Sequence, residues 1–67
     1  MFVQVNRCRL PGAVPATAPI LINIDHIICV MPLPDSAPEK SEIVVFSDLR
    51  IHVTETYDEI MAALSSL

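Results

Sequence analysis

The chain has 67 residues, of which 52% are apolar, and its formal net charge is −4. This length predicts one small domain over residues 1–67, with a core that buries only about 60% of the unfolded surface. Eight acidic against four basic residues lack the positive field that nucleic-acid binding requires, so no nucleic-acid partner is expected. The apolar excess predicts a homo-oligomer, most simply a dimer, or a complex with another protein that covers part of the surface.

The sequence also excludes several locations. It has no apolar run of about 18 residues, so we expect no membrane-spanning helix and no membrane partner. The N-terminal residues lack the basic start and long apolar stretch of a signal peptide. These features predict a cytoplasmic chain, in which Cys8 and Cys29 are expected to be reduced and buried thiols.

The first two segments are a strand and a loop. Residues 2–9 predict a strand whose two valines face the core. Arg7 and Arg9 share that face, so the strand should leave the core midway or bend. Residues 11–19 hold three prolines and the only glycine of the chain, which predicts a loop and excludes a helix or a central strand.

The most apolar stretch is residues 20–30, where eight of eleven residues are apolar and five are isoleucine. This composition predicts a strand in the middle of the sheet, or two strands joined at residues 23–26. We favour a bend there, since asparagine and aspartate tolerate turn conformations. A turn at residues 23–26 moves Ile27 and Cys29 to the core side, whereas a continuous strand leaves them on the opposite face.

Residues 32–41 predict a second proline-rich connector, and residues 42–54 predict a β-hairpin. The hairpin has two possible registers, with a two-residue loop at Asp48 and Leu49 or a three-residue loop that also includes Arg50. Both registers leave one face apolar, so the pattern does not choose between them. Neither loop contains glycine, so either the turn is a local weak point or Asp48, Leu49 or Arg50 adopts a strained backbone conformation.

Residues 56–66 predict the helix. Thr56 and Glu59 form a capping-box pattern, in which the hydroxyl and the carboxylate each accept a backbone N–H at the helix start. Ile60 lies on an apolar face that must dock onto the sheet, because so short a helix is marginal alone. The expected fold is α+β: a strongly bent antiparallel sheet of three to five strands, with one C-terminal α-helix packed on one face.

Few residues are arranged for chemistry. Asp25 and His26 are adjacent, and adjacent strand residues point to opposite faces, so a turn pair is favoured over a general base. The cysteines and histidines lack the short ligand spacings of a zinc site. These residues are Cys8, Cys29, His26 and His52. We therefore expect no catalytic residue, cofactor, metal or enzyme activity; a small thiol- or metal-dependent regulator that uses these residues is the alternative.

We predict instead a non-enzymatic regulatory module that acts by binding proteins. Arg7, Arg9 and Arg50 form either a basic site for an acidic partner or scattered solvated charges. The predicted interaction surface consists of four apolar and two basic residues. They are Leu21, Ile27, Cys29, Met31, Arg7 and Arg9.

Two segments resemble a known family. Over residues 20–65, the segments ILINIDHIICV and IVVFSDLRIHVTETYDEIMAAL resemble the small flagellar FlbD-like proteins of bacteria and similar short phage and prophage proteins. The matching residues form a strand step and the entry to the last helix: Asn23, Asp25, Ile27, Val53, Glu55, Thr56, Glu59 and Ile60. Leu49 stands where the hairpin of the family often has glycine. The resemblance implies a non-enzymatic accessory protein linked to motility, or a phage protein that acts on a host protein.

Overall fold

The computed structural model describes residues 1–34 and 38–67. Over these residues it has five antiparallel β-strands in one sheet and one C-terminal α-helix, so the predicted α+β class is confirmed. The strands are β1 (Phe2–Cys8), β2 (Thr17–Asn23), β3 (Ile27–Pro32), β4 (Ser41–Val45) and β5 (Leu49–Val53), and the helix α1 is Tyr57–Ser65. Two short 3-10 turns, Ile24–His26 and Phe46–Asp48, join β2 to β3 and β4 to β5.

The strand order is β2-β1-β5-β4-β3, so residues 20–30 lie at the two edges of the sheet. The prediction that this run occupies the middle of the sheet is therefore wrong. A 3-10 turn splits the run, and each half pairs with a different neighbour, β2 with β1 and β3 with β4. The strand that is buried along its whole length is β4.

The turn at Ile24–His26 is started by the residue before it. The Asn23 Oδ1 accepts a hydrogen bond from the Asp25 N–H at 3.1 Å. The predicted break in the apolar run is thus confirmed. Ile27 then packs against the core, but a register shift between Ile27 and Cys29 leaves Cys29 exposed. A turn at residues 23–26 was predicted to bring Ile27 and Cys29 to the core side. This prediction is right for Ile27 and wrong for Cys29.

The core lies between the inner face of the sheet and α1. Its buried side chains come from four strands and the helix: Val3, Val5, Ile22, Ile43, Val45, Ile51, Val53 and Ile60. Removing one such side chain from water contributes about 1.5–3 kcal/mol. Ile60 is only 1% exposed and is the buried residue of α1, so it anchors the helix to the sheet.

The start of α1 is the predicted capping box. Thr56 Oγ1 accepts from the Glu59 N–H at 3.2 Å, and Glu59 Oε1 accepts from the Thr56 N–H at 2.9 Å. These two bonds satisfy backbone N–H groups at the helix start. The backbone hydrogen bond from Thr56 favours the charged carboxylate, so it lowers the pKa of Glu59.

The β4–β5 hairpin turns earlier than either predicted register. Val45 lies opposite Leu49, so the turn consists of Phe46–Asp48 and both predicted loops are wrong. Ser47 (φ 67°) and Asp48 (φ 61°) adopt the left-handed conformation, so of the two predicted alternatives the structure has the strained backbone, at Asp48 and also at Ser47. The physical reason is that a short polar side chain tolerates this conformation better than leucine does.

Prolines lie at both free edges of the sheet. The Arg9 N–H donates to the Ala16 C=O at 2.8 Å, and the alternation of an antiparallel pair then turns the nitrogen of Pro19 away from β1. Pro19 therefore removes no backbone hydrogen bond to β1. As a result, β2 begins at Thr17, inside the segment 11–19 that was predicted as a loop. By the same alternation, Pro32 turns its nitrogen away from β4. Each proline removes a donor from a free edge.

Candidate functional site

An ionic cluster lies on the outer face of the sheet. Glu42 in β4 lies opposite His52 in β5, and Arg50 is two residues before His52 on the same face. The Glu42 carboxylate pairs with Arg50 Nη1 at 2.8 Å and with His52 Nε2 at 3.0 Å. The Glu42 side chain is only 12% exposed, and a charge so far out of water is stable only when it is paired. We call Glu42, Arg50 and His52 the Glu42 cluster.

The pKa values of both ionised partners shift in the direction that favours the pair. The hydrogen bond with Glu42 raises the pKa of His52 above its usual 6.5, and the Glu39 carboxylate, 3.3 Å from His52 Nδ1, raises it further. The hydrogen bond from His52 lowers the pKa of Glu42 below its usual 4.5, and Arg50 adds to this effect. The cluster therefore stabilises a protonated imidazole between two carboxylates.

Sequence reasoning missed the role of Glu42. Glu42 and His52 stand at mirror positions around the Phe46–Asp48 turn and carry complementary charges, which is the pattern of a cross-strand ion pair. That signal becomes visible only when the hairpin register is known. Because both predicted registers were wrong, they did not place the two side chains opposite each other.

A cleft of about 530 Å³ opens between the end of β1 and the middle of β5. Arg7 pairs with Val53, and beyond that position the two strands form opposite sides of the cleft. Its cationic residues are Arg7, Arg9 and Arg50, and its apolar residues include Leu10, Ala18 and Ile20. We call this cavity the arginine cleft.

The arginine cleft concentrates positive charge in an acidic chain. Of the residues that the structure describes, three of the four basic residues line it, but only one of the seven acidic residues does, Glu39. Arg9 is held by a hydrogen bond from Nη1 to the Pro15 C=O at 3.2 Å. Of the two alternatives that the sequence left open, the structure favours a basic site over scattered charges, because the three arginines line one cavity. Its use by an acidic partner stays a prediction.

The thiols and the histidines do not form a common site. Cys8 is half-buried, and burial, followed by the charges of nearby carboxylates, raises the pKa of its thiol. Cys29 is exposed on the outer face, so the prediction that both thiols are buried is wrong for Cys29. His26 packs against Phe46, with ring centroids 4.9 Å apart. Among the residues that the structure describes, no three histidine, cysteine or acidic side chains are grouped to hold a metal ion.

Large apolar side chains are exposed around the Ile24–His26 turn. Phe2 pairs with Asn23 at the start of the turn, and Phe46 contacts His26 at its end. Four such side chains are each more than half exposed: Phe2 (58%), Leu21 (67%), Ile28 (60%) and Phe46 (60%). We call these four residues the corner surface.

The six residues of the predicted interaction surface lie in several places. Leu21 belongs to the corner surface, and both arginines line the arginine cleft. Cys29 and Met31 are exposed in β3. Ile27 is half-buried and packs against the core, as the predicted turn requires, so it offers less surface to a partner than its inclusion in the predicted interaction surface implies. The role of the other residues in binding stays a prediction.

No protein-family model, curated protein or solved structure matches the chain. The resemblance to FlbD-like and phage proteins therefore stays a prediction, and function has to be argued from the geometry. Among the described residues, no helix combines the length and the apolar character needed to span a membrane.

Proposed function

We propose that the chain is a small non-enzymatic interaction module that forms a homodimer through the corner surface and binds another protein. The observation that carries this proposal is the exposure of four large apolar side chains on segments that flank or contact the Ile24–His26 turn. Exposed apolar surface of this kind marks interaction sites in small proteins. Its removal from water contributes about 25 cal/mol per Å² of apolar area, which favours association.

Packing of side chains, rather than addition of a strand, is the proposed mode of association. The free edges of β2 and β3 each lack one backbone donor, at Pro19 and Pro32. Edge prolines oppose pairing with a further strand. The register shift at Ile28 also twists the free edge of β3 away from a regular ladder. The corner surface offers apolar contact area without these obstacles.

We further propose that the sheet is strongly bent, because a very short link joins its two edge strands. In the strand order, β2 and β3 are four strand spacings apart. That separation is roughly 19 Å in a flat sheet. The link from Asn23 to Ile27 spans at most about 14 Å. A bend brings the two edges together and gathers apolar side chains of both edges at the corner surface.

The resemblance to FlbD-like and phage proteins supports a proposal about the partner. A flagellar accessory protein would bind a protein of the motility apparatus, whereas a phage protein would bind a protein of its host. The genes beside this one distinguish the two, since flagellar genes favour the first partner and phage structural genes favour the second.

Light scattering during gel filtration tests the homodimer. At high micromolar concentration the wild type is expected to have about twice the monomer mass of 7.4 kDa. The double variant Leu21→Asp/Phe46→Asp adds two charges to the corner surface and is expected to be monomeric. Val14→Asp is the matched control, because Val14 is 91% exposed outside that surface, and it should remain dimeric.

Two results would contradict the proposal. A wild type that stays monomeric at these concentrations would overturn the homodimer. A double variant that remains dimeric, with an unchanged circular dichroism spectrum, would show that the copies meet at a different surface.

A further inference from the structure

We propose that the arginine cleft binds an acidic peptide segment of the partner protein, with Arg7 and Arg9 holding its carboxylates. This inference rests on the proposed protein-binding function, because it names the site and the chemistry of that partner. It does not depend on the homodimer, because the corner surface and the arginine cleft have no residue in common.

Arg7 and Arg9 are the two cations that remain available to a ligand. Arg50 is already paired with the Glu42 carboxylate at 2.8 Å. The Arg7 side chain has no hydrogen bond or ion pair with any residue that the structure describes, and Arg9 donates to an uncharged backbone carbonyl. A guanidinium presents five N–H donors in a planar fork that matches a carboxylate. Both side chains are exposed, so a ligand can reach them.

The apolar residues that line the cleft favour a ligand that also has an apolar group. Leu10 is 82% exposed, and Ile20 and Ala18 line the side formed by β2. A volume of about 530 Å³ has room for a few side chains. A ligand that fills it must therefore combine carboxylates with at least one apolar group, as a short acidic peptide does.

The rest of the molecule argues against a nucleic acid in this cleft. Outside it, the described part of the chain has one basic residue, Lys40, and six acidic residues. A polyanion that extends beyond the cleft meets this negative surface and is repelled. A short acidic segment fits within the positive region and avoids that repulsion.

Glu39 shows that the cleft accommodates a carboxylate. Its Oε2 lies 3.3 Å from His52 Nδ1, while its side chain remains 44% exposed. A ligand carboxylate would enter the same positive field and would be repelled by Glu39. Removing the charge of Glu39 should therefore strengthen binding of the ligand.

Selection from a random peptide library displayed on phage is the first test. The net charge of −4 alone would select basic peptides. The arginine cleft predicts the opposite, an enrichment of aspartate and glutamate beside an apolar residue. Enrichment of basic peptides, an absence of charge bias, or no enrichment at all would overturn the inference.

Fluorescence anisotropy with the most enriched peptide then locates the site. Arg7→Gln is expected to weaken binding about tenfold, since it removes a charge-assisted hydrogen bond. Lys40→Gln makes the same change in net charge outside the cleft. We expect it to weaken binding by less than about twofold, because Lys40 does not line the cleft and its loss removes no hydrogen bond to the peptide. Glu39→Gln is expected to strengthen binding about threefold.

The remaining outcomes separate the cleft from the other proposals. Equal losses in Arg7→Gln and Lys40→Gln would indicate a net-charge effect and overturn the site. A selected peptide that is insensitive to Arg7→Gln would preserve the interaction module but contradict the cleft. If labelled duplex DNA binds more tightly than the peptide, the proposal that the cleft binds an acidic peptide is wrong. The Leu21→Asp/Phe46→Asp variant should bind the peptide as the wild type does, whatever its oligomeric state.

Discussion

The two faces of the sheet are stabilised in different ways. The inner face is apolar, and its seven buried side chains pack there with Ile60 of α1. The outer face carries the charged Glu42 cluster, and the arginine cleft lies next to it, where β1 and β5 separate. Among the described residues, no buried side-chain polar atom lacks a hydrogen bond. The inner face therefore accounts for most of the folding energy, whereas the arginine cleft and the corner surface leave charged and apolar groups exposed.

The two neighbouring sets of charges, the Glu42 cluster and the arginines of the cleft, differ in burial and in pairing. Glu42 is nearly buried, and both of its cationic partners lie within 3.0 Å. Arg7 and Arg9 are exposed and are not neutralised by any carboxylate of the described chain. Paired, buried charges are typical of structural roles, and unneutralised charges around a cavity are typical of binding.

The largest expected effect tests the inner face. Ile60→Ala removes the buried anchor of α1 and leaves a cavity, so it should lower the free energy of unfolding by about 3 kcal/mol. Urea denaturation followed by circular dichroism measures the loss. Met61→Ala, at a partly buried position beside it, should cost less. A loss below about 1 kcal/mol for Ile60→Ala would mean that the helix contributes little to the core.

A smaller effect separates local helix stability from packing. Thr56→Ala removes the hydroxyl that accepts the Glu59 N–H, so the free energy of unfolding should fall by about 1 kcal/mol. Ser65→Ala, at the exposed end of α1, is the control and should cause no loss. Equal stability of Thr56→Ala and the wild type in urea denaturation would show that packing alone sets the helix start.

The smallest effect tests the outer face and depends on pH. The pKa of His52 is raised in the folded state, so its contribution to stability is complete below about 6.5 and is lost as pH rises through the folded value. The pKa of Glu42 is lowered, so its contribution is present above about 4.5 and is lost as pH falls through the folded value. The pair should therefore stabilise the fold most between these two values.

His52→Gln checks this window. His52 is 37% exposed, so solvent screening limits the effect. Between pH 4.5 and 6.5 the variant should be less stable than the wild type by roughly 0.5 kcal/mol. This difference should shrink as pH rises further, in urea denaturation at a series of pH values. A difference that grows with pH would contradict the assigned pairing.

Features that depend on neighbouring residues could be predicted from the sequence. The capping box of Thr56 and Glu59 and the break before Ile27 each require only a few adjacent residues, and both are present. The left-handed backbone at Asp48 follows in the same way from the absence of glycine in the hairpin. Local chemistry decides these conformations.

Features that depend on distant pairing could not be predicted in this way. Residues 20–30 are apolar enough for a central strand, but pairing of their two halves with β1 and β4 places them at the edges. The hairpin pattern was equally apolar in more than one register, so hydrophobic alternation could not locate the turn at Phe46–Asp48. Glu42 and His52 face each other only in the register that places Phe46–Asp48 in the turn.

In the candidate sites, too, the sequence indicates which residues take part, but their assembly depends on distant strand pairing. The sequence identified Arg7, Arg9 and Arg50 as possible members of a basic site. Their assembly around one cleft requires β1 to meet β5 at Val53, a pairing between segments that are distant in sequence. The exposure of Phe46 in the corner surface likewise follows from the position of the hairpin turn.

The dependence of unfolding on protein concentration tests the central claim, that a second copy covers the corner surface. Unfolding of a dimer releases two chains, so the urea midpoint of the wild type should be clearly higher at about 100 μM than at about 1 μM. The midpoint of Leu21→Asp/Phe46→Asp should be the same at both concentrations. A wild-type midpoint that does not change with concentration would contradict the claim.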